Sequence, residues 1–434
     1  MDGDAHDLEF LVASTVYEIQ SLKDDPRLGP VMGTRGEALR DHILDLVGAA
    51  QHRLAQQPDP SASPNVRQAY ARNLRQLLGM LRLAQKCLPW LAATRSPTVN
   101  LGSLYLTEEF ARHIVGTNVD LVVVTSPEYM YSEESWLFRE VIAQTTGYVP
   151  HMTTRRPMAM FYPLTDADRV LMHTVMAHEL GHASAEEYDL VASAEQMLDN
   201  DPTFVASLDS TVNAISSPGH FSTSLVASAL RQVLRSWLLE ILCDHLAIAV
   251  AGPAFLWSFA GFALPYTYAS PGDEHPPNSL RIRLALDYLV SGGWQPFMED
   301  VAPGVTAWLR GVAADATVPL APAYAFMRDE LLRRQVELQQ IAIARVGIGV
   351  LEPSGAGARA HEAAALLRRL ILPIGLEEPL ELRAILLGGW IEAFIRHGDG
   401  PAGVIGALGD LSLQELIGKA MELSVVATEW SSHR

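Results

Sequence analysis

The stretch VLMHTVMAHELGHASAEEYDL, residues 170–190, decides how the chain is read. Inside it His178 and His182 stand four apart, with Glu179 directly after the first. On an α-helix four residues turn about 400°, so the two imidazoles project from one face, one turn apart. At that separation both can reach a single zinc ion at about 2.0–2.1 Å. Glu179 lies about 100° further round, near the ion without binding it. There it can take a proton from a water that zinc makes acidic enough to attack a carbonyl. The competing reading is a core helix with two hydrogen-bonded histidines, because five-residue matches of this kind also arise by chance.

A catalytic zinc with an open position needs a third protein ligand. The metzincin pattern, a glycine and a third histidine at fixed distance, is absent, since Ala185 and Tyr188 fill those positions. RSWLLEILCDHLAIAV, residues 235–250, offers Glu240 and Asp244, again four apart and on a strongly apolar helix. Two acids facing one way in such a setting are costly unless something positive meets them. A zinc ion on Glu240, with Asp244 accepting the second N–H of a ligand histidine, meets that need. The alternative is that both acids sit at a helix border and touch solvent. Trp237, Leu238, Leu239, Ile241, Leu242 and Leu246 around them argue against it.

This pair of motifs resembles the gluzincins, in which HExxH is joined by a downstream glutamate within ExxxD. EHPPNSLRI, residues 274–282, narrows the likeness, because it reproduces the HPPxxxRI pattern of the CAAX prenyl proteases and the related stress-response membrane metalloproteases. The order and approximate spacings agree over about residues 165–290, and the flanking helices carry no such likeness. The resemblance implies that His178, His182 and Glu240 bind Zn2+, that Glu179 is the general base, and that Asp244 supports a ligand histidine. It also implies that His275 stabilises the oxyanion and that Arg281 braces this arm against the acids of the site. On local sequence alone, His275 reads equally as a turn residue before two prolines. Two departures stand out. The best-known members of the family have clear membrane spans, and Cys243 replaces the small residue usual before the aspartate, placing a thiol that could compete as a ligand. Peptide substrates of zincins add a strand to the edge of the active-site sheet, and 147–161 is the candidate edge, with Val149 and Met158–Met160 bordering the cleft.

The rest of the chain sets limits. At 434 residues it exceeds one core, and 49% apolar with 19% charged residues leaves ample material for a buried interior. A net charge of −18 argues against nucleic acid, whose phosphates need a basic face. Cys87 and Cys243 are the whole cysteine complement, so no disulfide framework is expected and a reducing, cytoplasmic setting is. The opening MDGDAHDLEF is acidic where a secretory signal would be basic, and no export signal is expected. Residues 245–268 carry no Asp, Glu, Lys or Arg and are long enough on paper to cross a bilayer. Gly252-Pro253 and Pro265 cut them, however, so two buried core helices are expected and membrane association is not.

Apolar positions at three- and four-residue spacing predict helices over 7–22, 35–56 and 66–90. The texture changes around 98–105 and 119–125, where VDLVVVTSP reads as a strand. Residues 147–163, with two prolines, read as an edge strand or extended loop. Thr165 and Asp168, an acidic variant of the capping box, predict the start of the HELGH helix. Helices follow at about 189–214, 222–251 and 323–346, while 352–360 reads as a linker or loop. His245 and His173 read as core or structural residues, and His151 lies before the zinc helix. The expectation is a mainly α (α+β) protein: an N-terminal helical region over 1–95, a zincin-like metallopeptidase domain with a small β-sheet over 96–300, and a C-terminal helical region over 301–434. The function expected is a zinc-dependent peptidase, an endopeptidase, acting on a protein or peptide substrate. The alternatives are a non-catalytic regulatory or binding protein on the same scaffold, or an integral membrane protease spanning at 245–268.

Overall fold

The computed structural model describes residues 3–29, 35–95, 99–128, 131–133, 156–216, 222–263, 272, 274–315, 321–346, 349–373 and 378–432. The chain is mainly helical, with a small sheet, and forms two compact units. The first combines residues 1–98 with 118–163, the second 99–117 with 164–434. The units therefore cut across the three regions expected from the sequence. The C-terminal helices share a unit with HELGH, and the strands belong to the other.

In the first unit, α1 (Gly3–Lys23), α2 (Glu37–Ala55) and α3 (Pro64–Arg95) fall where apolar spacing predicts them. Ile19 and Leu22, Leu39, Ile43 and Leu46, and Leu77, Leu81 and Leu88 join Val122 and Ala159 of the sheet in one core. The strands are β1 (Val119–Ser126), β2 (Ser132–Glu133) and β3 (Arg156–Pro163). Buried Asp120 of β1 accepts the Gly36 and Ala38 N–H groups at 2.8 and 2.7 Å, which satisfies the start of α2. The sheet order is β1-β3-β2, with β1 parallel and β2 antiparallel to β3. This corrects the expected edge strand: β3 is central, and Met158, Ala159, Met160 and Tyr162 are fully buried. At Met160 and Phe161, where β1 lies on one side and Ser132 and Glu133 on the other, the strand has no open edge; residues 134–155 lie outside the described residues. Val149 and His151 lie outside the described residues.

The second unit holds α4 (Leu101–Ile114), α5 (Val175–Glu187), α6 (Leu190–Asp199), α7 (Pro202–Ile215), α8 (Thr223–Ala251), α9 (Pro253–Ala263) and α10 (Asn278–Ser291). It continues through α11 (Gln295–Val301), α12 (Pro303–Ala314), α13 (Pro322–Arg333), α14 (Gln335–Val346), α15 (Pro353–Arg368), α16 (Leu382–His397), α17 (Pro401–Gly409) and α18 (Leu411–Ser432). Several boundaries differ from the sequence reading. The expected capping box does not open α5. Instead Asp166 binds Arg169 at 2.9 Å, its carbonyl pairs with His173 Nε2 at 2.9 Å, and two 3₁₀ turns precede Val175. The helix expected over 189–214 breaks at Asp201-Pro202, where Asp201 caps the Thr203 N–H. The one expected over 323–346 breaks at Arg334, which pairs with Asp201 and Glu330. The supposed linker at 352–360 folds as the start of α15, with Pro353 in its first turn. Residues 101–105, in the stretch of changed texture, open α4.

Two helices occupy the described part of the apolar stretch, residues 245–263. α8 ends at Gly252, whose φ of 58° favours glycine, and α9 begins at Pro253; Pro265 lies outside the described residues. α9 is buried on more than one side because it is sandwiched. Phe255 and Phe259 face the polar centre of the unit, while Trp257 packs on Phe297, Trp390 and Phe394. A helix hydrophobic all round is one buried all round. Among the described residues no helix is long and apolar enough to cross a membrane.

Candidate metal centre

The centre forms where α5 crosses α8, and Gly181 sets that crossing. A Cβ at Gly181 would lie 3.0 Å from both Cα and Cβ of Cys243, tighter than most side-chain contacts, so α8 would have to give way there. The glycine inside HELGH thus lets the histidine face of α5 settle directly on the Glu240–Asp244 face of α8. Ser184 Oγ donates to the Ile114 carbonyl at 2.7 Å, tying α5 to the end of α4.

Across this crossing His178 Nε2 and His182 Nε2 are 3.2 Å apart. Glu240 Oε2 lies 3.5 Å from His178 Nε2, and Oε1 lies 3.6 Å from His182 Nε2. Ligands of a tetrahedral zinc, at about 2.0–2.2 Å from the ion, stand roughly 3.3–3.6 Å from one another. The two nitrogens and the carboxylate therefore form a triangle of about the size such an ion needs. Glu179 also belongs here: one of its oxygens and a ring nitrogen of each histidine lie within 4.8 Å of one another. Glu179 thus stands beside the triangle that Glu240 completes.

Behind the triangle, Asp244 Oδ1 lies 2.8 Å from His178 Nδ1. Arg281 grips the same carboxylate with both arms, Nη2 to Oδ1 at 2.7 Å and Nε to Oδ2 at 2.8 Å, and its Nη1 lies 3.1 Å from Glu240 Oε2. His275 approaches from the exposed side, with Nδ1 3.3 Å from Glu240 Oε2 and its side chain 64% exposed. Pro276 and Pro277 behind it are buried. All seven residues singled out in the sequence therefore meet within one compact unit.

The electrostatics follow from this packing. Burial opposes the charges of Glu240 and Asp244, yet both carboxyls sit below their usual range. Arg281 holds Glu240 down together with hydrogen bonds from His178 and His275, and holds Asp244 down together with His178. Burial alone would lower His178, but hydrogen bonds to Asp244 and Glu240 and their charges outweigh it and raise it to about 10. His182 moves the other way, to about 4, through burial and then the charge of His178. His178 Nε2 and His182 Nε2 are within hydrogen-bonding distance, and which of them donates depends on the tautomer. A divalent cation bound here would have to displace any proton shared by these nitrogens. The donor set, imidazole and carboxylate, is one that could hold a metal ion.

Cys243, which faces Gly181, is a buried free thiol, as is Cys87. His245 faces away from the acids, fully buried against Tyr288, with ring centroids 5.4 Å apart. His173 is a buried structural residue on the Asp166 carbonyl. Two contributors went unread in the sequence. Phe255 lies parallel to His178, with centroids 6.4 Å apart and planes within 7°, and the Arg281 guanidinium sits 4.5 Å over the Phe259 ring. Their i, i+4 spacing was visible, but within so apolar a stretch it reads as ordinary core. Comparison with known protein families, curated proteins and solved structures finds no match for this chain.

Proposed function

We propose that this chain is a zinc-dependent peptidase of the gluzincin type, built on a zincin-like core and acting in the cytoplasm on a protein or peptide substrate. The observation that carries the reading is the triangle of His178, His182 and Glu240, with edges of 3.2, 3.5 and 3.6 Å, backed by Asp244 on His178 Nδ1. A structural zinc is closed by four protein ligands, whereas three ligands leave a position open for substrate and water.

Bound by these three residues, zinc supplies Lewis acidity to a peptide carbonyl and makes water a competent nucleophile near neutral pH. The chain's own groups do the rest. Glu179, beside the triangle, takes the proton from the attacking water and returns it to the leaving amine nitrogen. His275 is open to solvent beside Glu240 and donates an N–H to the carbonyl oxygen as negative charge develops on it. Asp244 fixes the His178 tautomer so that Nε2 faces the metal position. Arg281 holds both carboxylates in place. Glu179 separates this reading from a non-catalytic zinc protein, because a purely structural site has no use for it.

The test is Glu179→Gln in the full chain, with metal content and peptide hydrolysis measured together. The expected result is about one zinc per chain in both proteins and cleavage only in the wild type. Full activity in the variant overturns the mechanism. Comparative proteomics of cells expressing the two forms would identify the substrate.

A further inference from the structure

Trp237 sits on α8 three residues before Glu240, one turn away on the same face. It is fully buried, and its indole N–H donates to the Gly272 carbonyl at 2.9 Å. The Gly272 N–H in turn donates to the His275 carbonyl at 3.1 Å. His275 Nδ1 then returns to α8 through Glu240 Oε2 at 3.3 Å. The circuit is closed: helix to arm through Trp237, helix to arm again through Glu240, with a short turn between. The ring is itself backed by Tyr324 of α13, stacked with centroids 5.8 Å apart and planes within 9°.

Burial by itself does not explain the indole bond. Trp257 and Trp390 are equally buried, yet their indole N–H groups have no hydrogen-bond partner among the described residues. Trp237 spends its donor on the backbone that leads to His275. The two prolines that follow are buried and stiff.

We propose that Trp237 is a positioning residue that pins the His275 arm over Glu240, with Tyr324 holding the indole in place. The inference rests on the peptidase reading for its catalytic consequence, though not for its structural one. It gives part of the C-terminal helical region a task, since α13 contacts the centre through one aromatic ring on another. Displacing α13 would free the indole, then the arm, then His275.

Trp237→Phe keeps the ring and its stacking and removes the donor. In the full chain, three quantities are measured on one preparation: amide exchange at 272, 274 and 275, zinc content, and kcat with KM. Arm exchange is expected to rise roughly five- to tenfold, and kcat to fall by a similar factor, as suits one lost hydrogen bond. Zinc content, KM and exchange along α8 are expected to stay as in the wild type. Tyr324→Leu should move the arm the same way by less. Unchanged arm exchange in Trp237→Phe overturns the inference whatever the activity, and a loosened arm with undiminished kcat overturns its catalytic part. If Trp237→Phe loosens the whole molecule, Tyr324→Leu decides: loosening confined to the arm supports the anchor, and none refutes it. A wild type that cleaves nothing removes the peptidase reading, while faster arm exchange in the variant still supports the anchor.

Discussion

Two helices of the second unit bury acids among cations, and they do so differently. On α16, Glu392 is 3% exposed and meets two guanidinium groups, Arg368 Nε at 3.0 Å and Arg396 Nε at 2.9 Å. On α8, Glu240 and Asp244 share one arginine, Arg281, and otherwise face imidazoles. A guanidinium never gives up its proton in a protein, so the α16 cluster is neutralised permanently and has no room for another cation. An imidazole can give up its proton, so the charge balance on α8 can be completed either by protons or by a metal. Burial of acids is common to both. What distinguishes a metal centre is that part of the opposing charge can be removed.

The sharpest way to break this contrast is to remove one acid from each helix. Glu240→Gln should lower zinc affinity by at least roughly a hundredfold, beyond what a supporting residue costs. Glu392→Gln should leave zinc content unchanged and cost about 1–3 kcal/mol of stability by weakening hydrogen bonds to charged partners. Metal analysis and thermal unfolding of the two variants check both. Equal zinc loss in both would erase the distinction. Asp244→Asn comes next. It keeps the shape but weakens the bond to His178 Nδ1, with an expected loss of roughly 10–100-fold in zinc affinity, read by competition with a chelating dye.

Acidity should also act through the buried histidines of the second unit. His173, His182 and His245 are each held at about 4, first by burial. In that window the unfolded chain binds more protons than the folded one, so metal-free stability falls as pH drops from about 6.5 towards 4. His178, raised to about 10, acts in the opposite sense. Its contribution is complete below 6.5 and fades as pH rises towards 10. Melting temperatures of the metal-free protein should therefore peak near pH 6.5, and a stability that climbs steadily on acidification contradicts the assignment.

Smaller effects test the packing beneath the centre. Gly181→Ala forces α5 from Cys243 and should cost about 1–3 kcal/mol, typical of an overpacked core, with weaker zinc binding alongside. Phe259→Leu removes the ring under Arg281 and should cost about 0.5–2 kcal/mol, the range of a cation–π contact. Both are read by thermal unfolding at fixed pH.

The centre was legible in the sequence because its residues obey local rules. Four-residue spacing puts His178 with His182, and Glu240 with Asp244, on single helix faces, and the cost of burying two acids says that those faces meet something positive. Nothing local says that Trp237 bonds to Gly272 or that Phe255 lies along His178, since those contacts depend on how separate helices cross. The same holds for the fold. α1 to α3 were readable from their apolar rows, but alternation in residues 156–163 could not reveal that β3 has a partner on both sides. The break at Arg334 carries no local signal, and Arg334 pairs there with Glu330 and with Asp201, over a hundred positions away. The start of α15 was hidden by its glycines, which read as a linker in isolation and prove helical in place.

The most direct test is the anomalous scattering of a crystal of the zinc-loaded chain, recorded at the zinc absorption edge. One peak is expected about 2.0–2.2 Å from His178 Nε2, His182 Nε2 and a Glu240 oxygen. No peak there, or one bound by Glu179 with Glu240 turned away, would contradict the account.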